Sequence, residues 1–462
     1  MENSCAVVLA AGDGKRMKSS HPKVLSRVLF DPMLKWVLDS VKNAGVESAC
    51  VVTGAKHEAV EAFLTSYDPA VETVYQEQRL GTAHAVLQAA AFIEQFAGGS
   101  VLVLCGDAPF LDAETIHNAL EFHKKEENAA TVISAEADDP TGYGRIVRGS
   151  QGCLQAIVEE RDADEEIRAL QEVNSGAYWF QADALLSVLG RVENNNTQKE
   201  YYLTDTIRLL AEDGKRVNAF VSRRPETVLG ANNCLQLHEL NEHARRMVLE
   251  RLMLDGVEIP CLDGIMIGPD VAIGRGTTIL PGTILRGDVR IGEDCVIGPN
   301  SLVENSVIGS NVTLNAVQCC QSEIEDYVTA GPFVHIRPGS RLNSGVKVGD
   351  FVEIKNSTVG EGSKVPHLTY VGDSDVGAHV NFGCGCVTVN YDGKVKNRCK
   401  VGNYAFIGCN TNLVAPVEVG DGAYTAAGST ITENVPADAL AIARARQINK
   451  EEWAKKRRKQ KI

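Results

Sequence analysis

The sequence predicts two domains of different fold class, an α/β domain with a mostly parallel sheet and, after it, an all-β parallel β-helix. Over roughly the first 200 positions, short apolar runs alternate with helix-spaced apolar residues, as in strands separated by helices. Beyond Gly264, aliphatic residues return at every sixth position, often followed by glycine, which is the pattern of stacked hexapeptide repeats. The length of 462 residues also exceeds that of one ordinary core.

The composition limits the class of protein. Apolar residues make up 44% and charged residues 23% of the chain, as in soluble globular proteins. The net charge of −14 argues against a general nucleic-acid binder, which has a basic face. The first residues do not resemble a secretory signal, and no apolar run approaches the roughly 18 residues of a membrane span. The 13 cysteines are expected to be free thiols, so we expect a cytoplasmic protein without a membrane span.

The first domain is predicted from its apolar runs. Residues 6–10, 49–53 and 101–104 are expected to be buried strands, and residues 34–44 and 83–96 to be helices. Ligands of such sheets bind at the carboxyl ends of the strands. We therefore look for a site in the loops that follow these strands.

A single helix is predicted between the two domains. Apolar residues fall at helical spacing over 233–254, and Gly256 follows as a stop signal. We interpret this helix as a linker, which divides the chain into domains at 1–232 and 255–462. An ordinary packed helix of the first domain is the alternative.

The repeats of the second domain fall into four runs of constant phase. Three six-residue units are expected to form one turn, with the recurring aliphatic residue inside, and about ten turns stack at ~4.8 Å. Glycine permits the tight corners between the faces. Phase breaks mark inserted residues, and the largest break lies between Cys386 and Val401.

The strand at 6–10 runs into a loop of small residues with nearby cations. Such a loop is suited to holding phosphates, although it matches neither the P-loop nor the dinucleotide fingerprint, and a purely structural turn is the alternative. Gln76 and Gly81-Thr82 supply groups suited to reading a base edge. Asp107 ends a buried strand, where it is placed to hold a hard cation such as Mg²⁺.

Polar clusters interrupt the aliphatic pattern of the β-helix. Turns of about 18 residues place Arg337, Lys355 and a residue near 373 almost above one another, with His367 and Tyr370 just before that column. Two stacked cations form a phosphate clamp, and a histidine beside them is suited to act as a base. Ordinary exposed positions of a β-helix face are the alternative interpretation.

These motifs resemble those of the bifunctional N-acetylglucosamine-1-phosphate uridyltransferase/glucosamine-1-phosphate acetyltransferase family. The sequence LAAGDGKRM at 9–17, with Pro22-Lys23, is similar to the signature of sugar-1-phosphate nucleotidyltransferases, and the hexapeptide repeats extend the likeness. The resemblance runs from about Val7 to Trp453. It implies a Rossmann-like nucleotidyltransferase domain followed by a left-handed β-helix, assembled as a homotrimer.

The resemblance implies that the first domain joins UTP to N-acetylglucosamine 1-phosphate and releases pyrophosphate. Arg16 and Lys23 would meet the phosphates, while Asp107 and Asn232 would bind Mg²⁺. Uridine would be held by Leu9, Ala10, Ala11, Gly12, Gln76, Gly81 and Thr82, and the acetylated sugar by Gly144, Glu159 and Asn174.

For the second domain, the resemblance implies acetyl transfer from acetyl-CoA to glucosamine 1-phosphate, with His367 as the catalytic base. Glu353 is our candidate for orienting the imidazole ring. Glucosamine 1-phosphate would be held by Arg337, Lys355, Tyr370 and Asn381, and acetyl-CoA by Cys384, Asn390, Tyr391, Cys409, Ala427 and Arg444.

Two cysteines depart from the family pattern. Cys409 stands where serine is common and Cys384 where alanine is common, so acetyl-CoA binding is expected to be sensitive to thiol reagents. A zinc site made of these residues with Cys386 and Cys399 is a weak alternative, because the spacings are unlike those of zinc sites.

Two further alternatives stay open at this point. The chain resembles other sugar-1-phosphate nucleotidyltransferases in which a β-helix catalyses nothing, but such a β-helix has no reason to carry the polar set of the second site. The basic tail at 455–461 is expected to be a solvated, disordered end, with contact to a polyanionic ligand as the alternative.

Overall fold

The computed structural model describes residues 3–12, 14–149 and 152–459. Residues 455–459 of the predicted basic tail belong to a helix, where a disordered end was expected, and residues 460 and 461 lie outside the described part of the chain. The chain divides into two compact units, Met1–Ala244 and Arg245–Ile462.

The first unit is an α/β domain. Its strands are β1 (Ser4–Ala10), β2 (Arg27–Val28), β3 (Asp31–Pro32), β4 (Ser48–Thr53), β5 (Glu72–Tyr75), β6 (Ser100–Cys105), β7 (Ala130–Glu136), β8 (Arg145–Arg148), β9 (Leu154–Val158), β10 (Glu172–Gln181) and β11 (Val217–Val221). Its α-helices are α1 (Met33–Asn43), α2 (His57–Tyr67), α3 (Thr82–Gln88), α4 (Ala90–Glu94), α5 (Ala113–Lys125), α6 (Glu165–Arg168), α7 (Ala182–Leu189) and α8 (Asp205–Glu212), and short 3₁₀ helices cover Lys15–Met17, Lys23–Leu25 and Pro225–Val228. Helix α9 (Cys234–Leu254) follows.

The large sheet has the strand order β11-β7-β10-β6-β1-β4-β5, with β8 and β9 attached beside β10. Most neighbours on this path are parallel, as the sequence predicts, while β10 runs antiparallel to both β6 and β7. Successive residues of β1 enter opposite cores: Val7 joins one buried cluster and Val8 the other. Apolar residues therefore fill both faces of the strand, because both faces of the sheet are covered.

One predicted helix is divided in two. The pattern over 83–96 forms α3 and α4, separated at Ala89. The amide of Ala89 donates to the carbonyl of Val86, a contact of 3₁₀ type that tightens the turn. Apolar spacing alone continues through this position and does not reveal the break.

Helix α9 spans nearly the whole segment that we interpret as a linker. The Oδ1 atom of Asn233 accepts a hydrogen bond from the amide of Gln236 at 2.9 Å, which satisfies a free amide at the start of the helix. The division between the two units falls inside this helix, after Ala244.

The second unit is a stack of short parallel strands in three sheets, which we call faces 1, 2 and 3. Face 1 contains β12 (Met266–Ile267), β15 (Ile284–Arg286), β18 (Leu302–Glu304), β21 (Val317–Cys320), β24 (Val334–Ile336), β27 (Glu353–Lys355), β30 (Tyr370–Gly372), β33 (Val387–Val389), β36 (Asn412–Val414) and β39 (Thr430–Ile431). Face 2 contains β13 (Ala272–Ile273), β16 (Arg290–Ile291), β19 (Val307–Ile308), β22 (Glu323–Ile324), β25 (Arg341–Leu342), β28 (Thr358–Val359), β31 (Ser374–Val376), β34 (Cys399–Val401) and β37 (Val417–Val419). Face 3 contains β14 (Thr278–Ile279), β17 (Val296–Ile297), β20 (Thr313–Leu314), β23 (Thr329–Ala330), β26 (Lys347–Asp350), β29 (Lys364–His367), β32 (Asn381–Phe382), β35 (Phe406–Ile407), β38 (Tyr424–Thr425) and β40 (Leu440–Ala441), and helix α10 (Trp453–Lys459) ends the described chain.

The recurring aliphatic residues build the interior of this unit. Ile336, Ile354 and Val371 are register partners on successive turns of face 1, and all three are fully buried. At Gly274, a Cβ atom would lie 2.6 Å from the backbone of Gly292 one turn on, so glycine permits the turns to approach. The left-handed β-helix of hexapeptide repeats predicted from the sequence is confirmed.

The inserted residues between β33 and β34 leave the stack as a loop. An isolated antiparallel bridge joins Tyr391 to Lys396 within it. Across the described residues, no helix has the length and apolar character needed to cross a membrane.

Candidate functional site

A cavity of about 680 Å³ lies at the carboxyl ends of β1 and β6. Most of the residues that the sequence assigns to the uridyl-transfer site line it. They are Leu9, Ala11, Gly12, Arg16, Lys23, Gln76, Gly81, Thr82, Asp107 and Asn232. Ala10 is buried in β1 and does not line this cavity.

The cationic end of the cavity is organised around Asn232. Its Oδ1 atom accepts hydrogen bonds from Lys23 Nζ at 2.7 Å and from Arg16 Nη2 at 3.0 Å. Lys23 Nζ also forms an ion pair with the Oδ2 atom of Asp107. Two cations and the two predicted metal ligands therefore meet at one place, although Lys23 and Asn232 are 209 residues apart.

The opposite part of the cavity is held by hydrogen bonds between two chain segments. Gln76 is buried, and its Nε2 atom donates to the Gly81 carbonyl at 3.2 Å and contacts His84 Nδ1 at 2.9 Å. The Oγ1 atom of Thr82 accepts from the amide of Leu203 at 2.9 Å. Gly81 has φ = +124°, and a Cβ atom there would lie 2.4 Å from the carbonyl oxygen of Tyr201, so this position requires glycine.

The three predicted sugar ligands lie together beside β8, β9 and β10. The amide of Asn174 donates to the Gly144 carbonyl at 2.9 Å, and its Nδ2 atom donates to the Tyr178 hydroxyl at 2.6 Å. Burial raises the pKa of the Glu159 carboxyl, while a hydrogen bond from the Thr204 hydroxyl opposes the rise. Glu159 lines a second cavity of about 300 Å³, whereas none of the three lines the larger one.

Sequence reasoning missed several residues that line the larger cavity. Arg79 lies between the predicted base-reading residues, and Gln198 and Glu200 come from the segment that covers Gly81. The side chain of Cys105 also reaches the cavity, and burial raises its pKa to about 12, which keeps the thiol protonated at neutral pH. A cation close to Gln76 was a visible signal, but the approach of Gln198 depends on the tertiary fold.

On the β-helix, the predicted phosphate clamp lies on face 1. The register pairs Glu353 with Tyr370 and Lys355 with Gly372, one turn apart. Lys355 Nζ lies 3.3 Å from the Oδ2 atom of Asp373. Asp373 is therefore the residue near 373 that the sequence predicts as the next member of the column. Asn390 Nδ2 donates to the Tyr370 hydroxyl at 3.3 Å, which brings the first residue of the inserted loop into the cluster.

His367 is the last residue of β29 on face 3, and it begins a column of predicted site residues that follow the strands of this face. The amide of Gly385 donates to the His367 carbonyl, the amide of Asn410 to the Cys384 carbonyl and the amide of Gly428 to the Cys409 carbonyl. In a parallel ladder these bonds set His367, Cys384, Cys409 and Ala427 side by side on four successive turns. Arg444 lies next to this column, since its Cδ atom is 3.7 Å from the position that a Cβ atom would take on Gly428, the residue after Ala427.

Glu353 is placed differently from its expected position. It forms a salt bridge with Arg337, with 2.7 Å between Oε1 and Nη1, and no hydrogen bond or ion pair joins Glu353 to His367 among the described residues. The physical reason is that Glu353 belongs to face 1, whereas His367 ends a strand of face 3 and has Asp350 as its register partner. The carboxylate therefore holds a member of the phosphate clamp rather than the imidazole ring.

The two remaining predicted ligands lie on other elements of this unit. Asn381 is the register partner of Lys364 on face 3, and Tyr391 is exposed in the inserted loop.

All thirteen cysteines are free thiols. Within the described ranges, no group of three or more His, Cys, Asp or Glu side chains is arranged to hold a metal ion, so the zinc alternative has no support.

Comparison with known proteins matches different parts of the chain to two different families. The nucleotidyl transferase family matches residues 5–225, and the six-repeat hexapeptide family of bacterial transferases matches residues 270–305 and 398–433. "Bifunctional protein GlmU" of Geobacillus sp. (strain WCH70) is 47% identical over 448 residues, which cover 97% of each chain. The proteins of the same name from Caldanaerobacter subterraneus subsp. tengcongensis and Acetivibrio thermocellus are 48% and 46% identical over 457 residues, covering 99% of this chain and 99% and 98% of their own. The chain therefore belongs to the GlmU family of bifunctional enzymes, which combine uridyltransferase and acetyltransferase activities.

Proposed function

We propose that the two activities are divided between the two units, with uridyl transfer in the first and acetyl transfer on the β-helix. Acetylation of glucosamine 1-phosphate by acetyl-CoA produces N-acetylglucosamine 1-phosphate, and uridyl transfer from UTP then produces UDP-N-acetylglucosamine and pyrophosphate. The observation that carries the proposal is that each unit brings distant polar residues of one predicted site together. Lys23, Asp107 and Asn232 meet in the first, and Lys355, Tyr370 and Asn390 meet in the second.

In uridyl transfer, a phosphate oxygen of the sugar phosphate attacks the α-phosphorus of UTP in line, and the bond to the departing pyrophosphate breaks. We assign Arg16 and Lys23, which meet at Asn232, to neutralise the charge on the phosphates. We assign Gln76 and Thr82, whose side chains form hydrogen bonds in the cavity wall, to orient the base. The chain need only position the reactants and neutralise charge, since the reaction requires no covalent intermediate with the protein.

Asp107 and Asn232 fit the requirements of Mg²⁺. The Oδ2 atom of Asp107 and the Oδ1 atom of Asn232 both contact Lys23 Nζ, so the two oxygens converge on one cation-sized position. One carboxylate and one amide oxygen, completed by phosphate oxygens and water, suit a small hard cation. When bound, the ion would add neutralising charge beside the phosphates.

In acetyl transfer, the amine nitrogen of glucosamine 1-phosphate attacks the thioester carbonyl, the amine loses a proton and the C–S bond to coenzyme A breaks. His367 is the residue we assign to take that proton, because it begins the column that leads to the acetyl-CoA residues. Arg337 and Lys355 supply the cations for the sugar phosphate, and the salt bridge to Glu353 fixes the direction of the Arg337 guanidinium.

We also propose a cytoplasmic homotrimer that assembles through the β-helix. The rings of Phe406 and Tyr424 stack with centroids 5.3 Å apart on the outside of face 3, with 40% and 52% of their surfaces exposed. Leu440 continues this column with 62% exposure. Further copies of the chain would cover this apolar strip, and the thirteen free thiols suit a reducing compartment.

One reconstitution tests the division of labour. The purified chain is given glucosamine 1-phosphate, acetyl-CoA, UTP and Mg²⁺, and UDP-N-acetylglucosamine is detected by mass. Without UTP, N-acetylglucosamine 1-phosphate should accumulate. If product forms only when N-acetylglucosamine 1-phosphate is supplied, the β-helix is not catalytic and the proposal fails.

A further inference from the structure

Asp373 is a buried carboxylate between the predicted subsites of the β-helix. Its side chain is only 5% exposed. Oδ1 accepts a hydrogen bond from Asn356 Nδ2 at 2.5 Å, and Oδ2 accepts from Lys355 Nζ at 3.3 Å and from Asn390 Nδ2. Lys355 belongs to the predicted sugar-phosphate subsite and Asn390 to the predicted acetyl-CoA subsite.

The backbone of Asp373 does not by itself explain these contacts. Asp373 has φ = +46°, and so does Asn305, which occupies a corner of the same kind in the β-helix. At that corner the Oδ1 atom of Asn305 accepts from a backbone amide, that of Asp288, at 3.1 Å. The donors to the Asp373 carboxylate are instead side chains, and asparagine also tolerates this left-handed conformation. The corner therefore has no need of a carboxylate.

The carboxylate controls the position of Lys355. Burial raises the pKa of the Asp373 carboxyl, but hydrogen bonds from Asn356 and Asn390 and the Lys355 ammonium outweigh that effect and leave the pKa below its usual range. Asp373 is therefore ionised at neutral pH. An ionised carboxylate holds the ammonium group of Lys355, only 17% exposed, in one place instead of leaving it a mobile surface cation.

The same carboxylate orients Asn390. An ionised carboxylate only accepts hydrogen bonds, so the atom of Asn390 that faces it must be Nδ2. Nδ2 also donates to the Tyr370 hydroxyl, and Asn390 is 9% exposed. These contacts turn Oδ1 away from Asp373 and make it a fixed acceptor at the start of the inserted loop.

We propose that Asp373 is a positioning residue for acetyl transfer, which holds the Lys355 ammonium and the Asn390 amide in one arrangement and so couples the sugar-phosphate subsite to the acetyl-donor subsite. This inference rests on the proposed assignment of acetyl transfer to the β-helix. Loss of the charge releases both partners together, whereas loss of Lys355 affects the sugar phosphate alone.

The test compares Asp373→Asn with Asp375→Asn in the full-length chain. Asp375 lies two residues on, is exposed and pairs with Arg398 at 2.5 Å, so it controls for the same chemical change nearby. We expect D373N to raise KM for both glucosamine 1-phosphate and acetyl-CoA by about tenfold or more, the worth of a lost charged hydrogen bond, and D375N to change neither. Uridyl transfer should match wild type in both variants, and both should remain folded at the assay temperature.

A double-mutant cycle with Lys355→Met separates the possible failures. If K355M alone leaves KM for glucosamine 1-phosphate unchanged, the assignment of the site is wrong. If K355M weakens sugar-phosphate binding but D373N does not, Asp373 does not act through Lys355 and the inference is overturned. The same holds if the double variant changes this KM by the product of the two single changes, because the free-energy effects are then additive and the residues are independent. Asp373→Gly, which also permits the positive φ, provides a second variant should D373N fold poorly.

Discussion

The Nζ atom of Lys23 lies 2.7 Å from the Oδ1 atom of Asn232 and also pairs with Asp107, so one lysine bridges the two residues that we assign to Mg²⁺. The ammonium group of Lys23 neutralises the carboxylate of Asp107. The bridge also shows that the loop after β1 and the segment before α9 meet at one end of the cavity.

Asp107→Ala is expected to lower uridyl transfer by at least two orders of magnitude, because it removes the carboxylate that we propose for the metal and that pairs with Lys23. Acetyl transfer should stay within about twofold of wild type, since its residues lie in the other unit. Both rates are measured on the same preparation, with the exposed Asp138→Ala as the control. Equal loss of both rates in a folded variant would refute the two-site assignment.

His367→Ala is expected to lower the rate of acetyl transfer by about two to four orders of magnitude, the usual contribution of a positioned general base. Uridyl transfer to added N-acetylglucosamine 1-phosphate should be unchanged, and acetyl-CoA should still bind. The exposed His379→Ala serves as the matched control. Near-normal acetylation across the pH range would remove His367 as the base.

Glu353→Gln should act on the sugar phosphate instead of on the imidazole. Its carboxylate holds Arg337 at 2.7 Å, so the variant is expected to raise KM for glucosamine 1-phosphate severalfold. The pH profile of kcat should keep its wild-type shape. A displaced profile would restore the original expectation that Glu353 orients the His367 ring.

Glu159→Gln should stabilise the fold and weaken the binding of N-acetylglucosamine 1-phosphate. Because burial raises the pKa of this carboxyl in the folded state, its contribution to stability is complete below the ordinary carboxyl pKa and is lost as the pH rises through the raised value. The glutamine variant should therefore melt at a higher temperature than wild type at pH 7.5, with no difference near pH 4. The exposed Glu165→Gln is the control; a lower melting temperature at pH 7.5 would contradict the prediction.

Alkylation of the two cysteines beside His367 should block acetyl transfer. Cys384 and Cys409 occupy neighbouring turns of the column, so an added group would fill the path proposed for acetyl-CoA. N-ethylmaleimide is expected to inactivate the wild type, while Cys384→Ala/Cys409→Ser keeps most of its activity and acetyl-CoA protects the wild type. Equal inactivation of the double variant would place the sensitive thiol elsewhere.

The sequence alone determined the architecture of both units because each has a strong local period. Because an aliphatic residue recurs at every sixth position, as at Ile336 and Ile354, the sequence shows which side chains point into the β-helix and how they are spaced. The loop after β1 that we propose for phosphate binding was also visible, since small residues directly follow a buried strand. Among the predicted site residues of the first unit, those near strand ends could be found from this rule.

Only the tertiary structure decided which side chains share a site across these repeats. The sequence predicted that Lys355 and a residue near 373 would be stacked, but not that Asp373 would bind Asn390 from the inserted loop as well. It also paired Glu353 with His367, although the two residues belong to different faces and Arg337 is the partner of Glu353. A six-residue period defines position along one face, whereas contacts around a corner depend on how many residues each turn contains. That number changes wherever the chain loops out, so these contacts emerge only when the turns are stacked.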